Sequence, residues 1–212
     1  LIRTSSTPND PFFSTQNVYL SLIDAQPAWD IETGRSSVLV AVLDTGVDLN
    51  HEDLRDKVWT NVFEIAGNSA DDDRNGCVDD VNGCSFVTSA VADPSCPVAP
   101  RGSVTDDNGH GTFVSGIIAA RGNNALGVTG AAPGVTVLPV KILDCKGSGT
   151  AADAAQGLLY AARMGARVAN ISFGAEGESN TLGNAIHLAR LSYGMVIVAA
   201  TGNDGAGVVS FP

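Results

Sequence analysis

Positive charge is scarce in this chain. Twelve lysines and arginines face 23 aspartates and glutamates across 212 residues, for a formal net charge of −11. Nucleic-acid binding needs Lys and Arg against phosphates, so that class is excluded. The balance fits a secreted, soluble protein or one that binds cations. Long hydrophobic runs are missing as well. No stretch approaches the ~18–20 apolar residues of a membrane-spanning helix, so no membrane span is expected. The opening Leu1-Ile2-Arg3-Thr4 has no initiator Met and no signal-peptide core, and Val209-Ser210-Phe211-Pro212 does not read as a natural end. Both ends read as cut, with any targeting or pro-segment upstream. Cysteines number only four, Cys77, Cys84, Cys96 and Cys145, and none has CxxC spacing, which argues against zinc. Four cysteines allow three complete pairings, and spacing does not choose among them. Cys77, Cys84 and Cys96 share one loop-rich stretch, where one local disulfide is expected. There is no internal repeat and no low-complexity tract.

What is present suits one large domain or part of one. Hydrophobic residues make up 44% of the chain, enough for a sizeable core, and 24 glycines point to many tight turns. Residues 1–37 are polar and turn-rich, with one helix-like stretch near Val18–Ala28. Val38-Leu39-Val40-Ala41-Val42-Leu43 is short, apolar and β-branched, as a strand buried on both faces would be. Residues 64–108 are acidic, rich in Gly, Asn and Pro, and aperiodic; they read as a long loop insertion. The small apolar residues 111–121 predict a buried helix. The chain then alternates: a strand over Val135–Val140, an Ala-rich helix over Thr150–Met164 capped by Thr150, a strand over Arg167–Ser172, a helix over Asn180–Tyr193 with Leu182, Ile186 and Leu188 or Ala189 on one side, and a strand over Met195–Ala200. Gly165 and Gly194 stand just past the two helices, where C′ glycines belong. This order predicts an α/β fold with a mostly parallel sheet flanked by helices.

In such sheets, sites gather at the carboxyl ends of strands. Asp44 follows the first strand, His110 opens the small-residue helix, and Asn203 follows the last strand. Their chemistries complement one another. His110 can accept a proton from a serine hydroxyl and return it to a leaving amine. Asp44 can hold the imidazole tautomer, and Asn203 can donate an amide N–H to an oxyanion. A lone Asp-Thr-Gly also occurs in aspartic proteases, but those need two copies, and the sequence holds no second one.

Asp-Thr-Gly-Val-Asp-Leu-Asn-His-Glu-Asp-Leu at 44–54, Asn-Gly-His-Gly-Thr at 108–112 and Ala-Ala-Thr-Gly-Asn at 199–203 resemble the aspartate, histidine and oxyanion motifs of the subtilisin-like (subtilase) serine proteases, in that family's chain order. Pro8-Asn9-Asp10-Pro11-Phe12-Phe13 and Ala25-Gln26-Pro27-Ala28-Trp29-Asp30 further resemble thermitase-like members. The resemblance runs from about residue 8 to the last residue. It departs at Phe113, where many members carry His, and at Ser115, where Ala is common; neither position transfers protons.

The resemblance implies a three-layer subtilisin-like fold and peptide-bond hydrolysis by an Asp-His-Ser triad. It implies that residues 1–212 are the N-terminal two-thirds of a single peptidase domain, with an arm at 1–37 and the parallel core at 38–212. The nucleophile context Gly-Thr-Ser is absent, and neither Ser148 nor Ser210 is assigned to it. The serine is expected beyond the chain, so this stretch alone is expected to be inactive. With its serine-bearing helix missing, it is also expected to leave a broad apolar sheet face wet, and to be poorly soluble or partly molten. Peptide substrates of this family add a strand to the enzyme. Gly147, Ser148 and Gly149, in a strand flanking the non-primed subsites, and Ser172, Phe173 and Gly174, walling the first pocket, are the segments implied. A pro-segment inhibitor, a monomer and secretion are further expectations. A subtilase-like binding or regulatory protein without catalysis stays open as the alternative.

Calcium is expected at two places. Asp71, Asp73, Asn75 and Asp79 space their oxygens like a calcium-binding turn, with Gly76 at its sixth position and no EF-hand helices around it. The second set, Asp10, Asp53 and Asn124 with carbonyls around Gly122, Leu126 and Val128, is implied by the thermitase-like resemblance. His51 and His187 read as surface residues. Asn170-Ile171-Ser172 is a glycosylation sequon on a buried strand, so it is expected to be unmodified.

Overall fold

The computed structural model describes residues 7–88, 93–174, 177–203 and 205; Ser210 lies outside them. Among the described residues, five parallel strands form one sheet in the order β2-β3-β1-β4-β5. β1 is Leu39–Asp44, β2 Cys84–Ser85, β3 Thr136–Lys141, β4 Val168–Ile171 and β5 Val196–Ala199. β1 lies between β3 and β4 and is buried along its whole length, which is why its sequence carries no polar alternation. β2 has only two residues and arises inside the loop insertion, where no hydrophobic period announces it.

Two helices cover one face. α4 (Ala151–Arg163) and α5 (Asn180–Tyr193) pack Ala154, Leu158, Ala161, Leu182, Ala185 and Ala189 against Leu39, Ala41, Leu43, Leu138 and Val140. Small side chains let α4 lie close. A Cβ on Gly157 would stand 2.8 Å from both Ile142 and Val140, tighter than packing allows. The predicted cap holds: Thr150 Oγ1 accepts the Asp153 N–H at 3.1 Å. Gly194 ends α5 in the left-handed conformation, φ +64°.

α3 (His110–Ala119) covers the other face, with Val114 and Ala119 on Val40, Val42 and Val137. It is half-buried rather than buried: Phe113 is 66% exposed. Near-uniform apolarity gives no stripe from which a face can be read. On α5 the buried face is Leu182, Ala185 and Ala189, while Leu188 turns outward.

The N-terminal arm holds two helices instead of one, α1 (Phe13–Leu20) and α2 (Ala25–Trp29). Pro27 has no N–H to bond to a preceding turn, so it sits in the first turn of a new helix. Asp24, at φ +51°, makes the break. At the opposite edge, β5 is largely exposed, with Val196 58% accessible and no described strand on its outer side. Two disulfides, Cys77–Cys84 and Cys96–Cys145, bind the insertion internally and to the loop after β3. The local bridge was expected; the second pairing was left open by spacing.

Candidate active site

Asp44 is the last residue of β1 and is fully buried. His110 is the first residue of α3, with its side chain 46% exposed. Across 66 residues of sequence, Nδ1 of His110 meets Oδ1 of Asp44 at 2.8 Å and Oδ2 at 2.9 Å. A carboxylate only accepts, so Nδ1 carries the proton, and in the neutral imidazole Nε2 is the nitrogen with the lone pair. Two glycines make the approach feasible. A Cβ on Gly111 would fall 2.1 Å from the Gly46 carbonyl oxygen and 3.1 Å from Asp44 Cβ. Gly46 itself has φ +114° and backs onto the Val104 carbonyl.

The loop before His110 is organised by Asp106. Its Oδ1 accepts N–H from Asn108 and Gly109 and the Thr45 hydroxyl, and its Oδ2 accepts the Thr112 N–H and hydroxyl. Burial pushes the Asp106 carboxyl up, and the donors of Gly109, Thr112 and Asn108 together hold it below the ordinary aspartate value. Thr45 spans both motifs: its N–H donates to Asp44 Oδ1 and its hydroxyl accepts the Gly111 N–H. Buried Lys141 donates to the Thr45 carbonyl and to Asp107 Oδ1. Sequence reasoning missed Asp106 and Lys141. The signal for Lys141 was a charge ending an otherwise apolar strand.

Asn203 lies four residues past β5, exposed, at the same carboxyl edge of the sheet as Asp44. The sheet order puts β4 between β1 and β5, so those two strands stand two spacings, roughly 10 Å, apart. No hydrogen bond among the described residues ties Asn203 to Asp44 or His110.

A cleft of about 290 Å³ opens beside this edge, lined among others by Leu143, Gly147, Ser148, Gly149, Phe173 and Gly174. Thus five of the six expected substrate-segment residues share one cleft. Ser172 does not line it; its hydroxyl accepts the Asn170 amide at 2.8 Å. Residues 145–147 turn, and 148–150 belong to none of the described strands, with Thr150 extended. Asp144 Oδ1 accepts the N–H of Lys146 and Ser148, and Gly147 takes φ +76°, so the chain curls over that carboxylate. Burial pushes Asp144 up, but backbone N–H groups from Asp93, Ser148 and Lys146 bring it below the ordinary value.

The two acidic sets differ. Asp10, Asp53 and Asn124 converge: Asn124 donates to Asp53 Oδ1 at 2.8 Å, and Asp10 accepts the N–H of Asn123 and Asn124. In the insertion, carboxylate oxygens of Asp71 and Asp73 lie within 4.8 Å of one another and of Glu64, which spacing did not reveal. Asn75 is adjacent, its amide donating to Asp73 and Asp80. Asp79 is not in this group; it turns to accept the N–H of Gly67, Asn68 and Ser69. The sequence count put it at the ninth position of a calcium turn, but φ +55° at Asp79 swings it to the neighbouring loop. Glu64 Oε2 is buried without a partner, and the set is all hard oxygen, so the residues fit a calcium ion. His51 is half-buried, its Nδ1 accepting the Asp53 N–H, and His187 is exposed.

The subtilase family model matches residues 35–212. The chain is 37% identical to the thermophilic serine proteinase of Bacillus sp. (strain AK1), covering 100% of this chain and 44% of that protein. It is also 37% identical to thermitase of Thermoactinomyces vulgaris, covering 97% of this chain and 61% of that one. A solved structure of proteases from Pseudoalteromonas arctica matches with a TM-score of 0.73 at 32% identity, covering 94% of this chain and 60% of the other. The chain spans about half the length of the curated relatives it matches.

Proposed function

The chain belongs to the subtilase family, and from that premise we propose that it supplies the proton-transfer and oxyanion groups of a serine endopeptidase. The carrying observation is the doubly accepted Nδ1 proton between His110 and Asp44. With that proton held, Nε2 takes the proton of a serine hydroxyl as its oxygen attacks the peptide carbonyl carbon. Asp44 stabilises the imidazolium that forms. The carbonyl oxygen, now an oxyanion, receives the Asn203 amide N–H. His110 then returns the proton to the leaving nitrogen as the C–N bond breaks, and water repeats the sequence on the acyl-enzyme. The substrate polypeptide lies along residues 147–149 and 173–174, where glycines admit a backbone. A pro-segment occupies the same cleft before maturation.

The serine is assigned to a later part of the polypeptide. Residues 1–212 are then the N-terminal two-thirds of one peptidase domain, inactive by themselves. Glu64, Asp71 and Asp73 would hold one calcium ion and Asp10, Asp53 and Asn124 another; calcium would neutralise like charges and pin the arm and the insertion. Two disulfides support a secreted protein. Among the described residues, no helix is long and apolar enough to cross a membrane.

The test is labelling of the full-length protein with a fluorophosphonate, beside casein hydrolysis. Wild type labels on one serine, and His110→Ala does not. A folded full-length protein that neither labels nor hydrolyses casein overturns the enzyme reading in favour of a non-catalytic binding protein.

A further inference from the structure

Lys141 breaks the pattern of its strand. β3 and the residues after it, Val137 to Leu143, are otherwise apolar, yet Lys141 is 1% exposed. A buried ammonium is costly unless it is paired, so its partners matter here. Register shows where it acts. Val40, Val42 and Asp44 of β1 pair with Val137, Pro139 and Lys141 of β3. Val40, Val42 and Val137 pack toward α3, so Asp44 and Lys141 share the sheet face that meets His110.

We infer that Lys141 is a positioning residue that sets the Asp44–His110 geometry. Its ammonium stands between two partners, one directly after Asp44 and one three residues before His110. One is the carbonyl oxygen of Thr45, directly after Asp44. The other is the Asp107 carboxylate, 2.7 Å away in the loop that delivers His110. The Asp44–His110 contact joins segments from opposite sides of a long insertion, which also meet where the Asp48 N–H donates to Thr112 Oγ1. Thr45 supplies two side-chain links across the gap, to Asp106 and from Gly111. Lys141 is the link that comes from a third element, the neighbouring strand, and so refers both segments to the sheet. A methionine of similar length would fill the slot but make neither bond. The expected loss is of alignment, where about 1 Å is worth up to ~10²-fold in rate.

The chain holds three histidines, which makes a direct readout feasible. The full-length protein, labelled with ¹⁵N-histidine, is observed by long-range ¹H–¹⁵N correlation at a pH where the imidazoles are neutral. Wild-type His110 is expected as the Nδ1-protonated tautomer. In Lys141→Met the Nε2-protonated tautomer becomes populated, and kcat on a peptide substrate falls about 10- to 100-fold with KM within about threefold. A folded Lys141→Met protein whose His110 keeps the Nδ1 proton overturns the inference. If Lys141→Met does not fold, Asp107→Asn, which keeps the ammonium and weakens its anchor, is read by the same two outcomes. The kinetic arm rests on the protease reading and the tautomer arm does not. A tautomer change in a protein whose His110→Ala variant keeps full activity supports the positioning and refutes the protease.

Discussion

Two acidic regions of this chain arrange their carboxylates differently, although both accept N–H donors from the protein. At the sheet's carboxyl edge, Asp44, Asp106 and Asp107 are met by N–H, O–H or ammonium donors from the protein itself. In the insertion, Glu64, Asp71 and Asp73 crowd within 4.8 Å of one another, and one oxygen of Glu64 has no partner. Burial pushes Glu64 and the neighbouring Asp80 above their ordinary values. At the sheet edge the carboxylates hold something else, here an imidazole and a loop. In the insertion the carboxylates that face each other are the place proposed for a cation.

The largest effect expected on the first region is from His110→Ala in the full-length protein. Casein hydrolysis should lose about 10⁶-fold in kcat with the fold kept by circular dichroism, a magnitude taken from triad removal in a subtilisin. Asp44→Asn should cost about 10⁴-fold, because an amide can hold the wrong tautomer. Retained activity in either variant would erase the distinction between the regions. Asp106→Asn should next cost about 1.5–3 kcal/mol in urea unfolding at neutral pH, the range for a hydrogen-bonded charged group. The sign with pH is fixed. A carboxyl held low in the folded state stabilises above its unfolded pKa and loses that contribution as pH falls through the folded value. The gap between wild type and Asp106→Asn should therefore close below about pH 4; a gap that widens on acidification contradicts it. The smallest effect concerns calcium. At ten times its Kd, one ion contributes about 1.4 kcal/mol, read as a fall in Tm on chelation. Glu64→Gln should lower the calorimetric calcium stoichiometry by one and leave kcat unchanged. An unaltered stoichiometry would remove the contrast from the acidic side.

The strands and helices from Thr136 onward were legible because alternation of apolar runs, a Thr150 cap and C′ glycines all point one way. Asp44 and His110 were legible because each sits in a glycine-bounded motif, and Gly46 and Gly111 are explained by the close approach they permit. The insertion was less so. Spacing put Asp79 with Asp71 and Asp73, whereas a left-handed backbone at Asp79 sends it to residues 67–69, and Glu64 enters from outside the counted turn. The turn at 145–147 was not legible because the Asp144 carboxylate, around which the chain curls, is a tertiary feature shared with Asp93.

By itself the sequence determined the parallel α/β class, the alternation of strands and helices from Thr136 onward and the motifs that carry Asp44 and His110, because these follow from local periodicity and short motifs. Tertiary structure alone decided which cysteines pair, which acids face one another, and that a buried lysine from a third strand holds the two motif loops together. Those outcomes depend on distances between segments dozens of residues apart, and no local pattern encodes them.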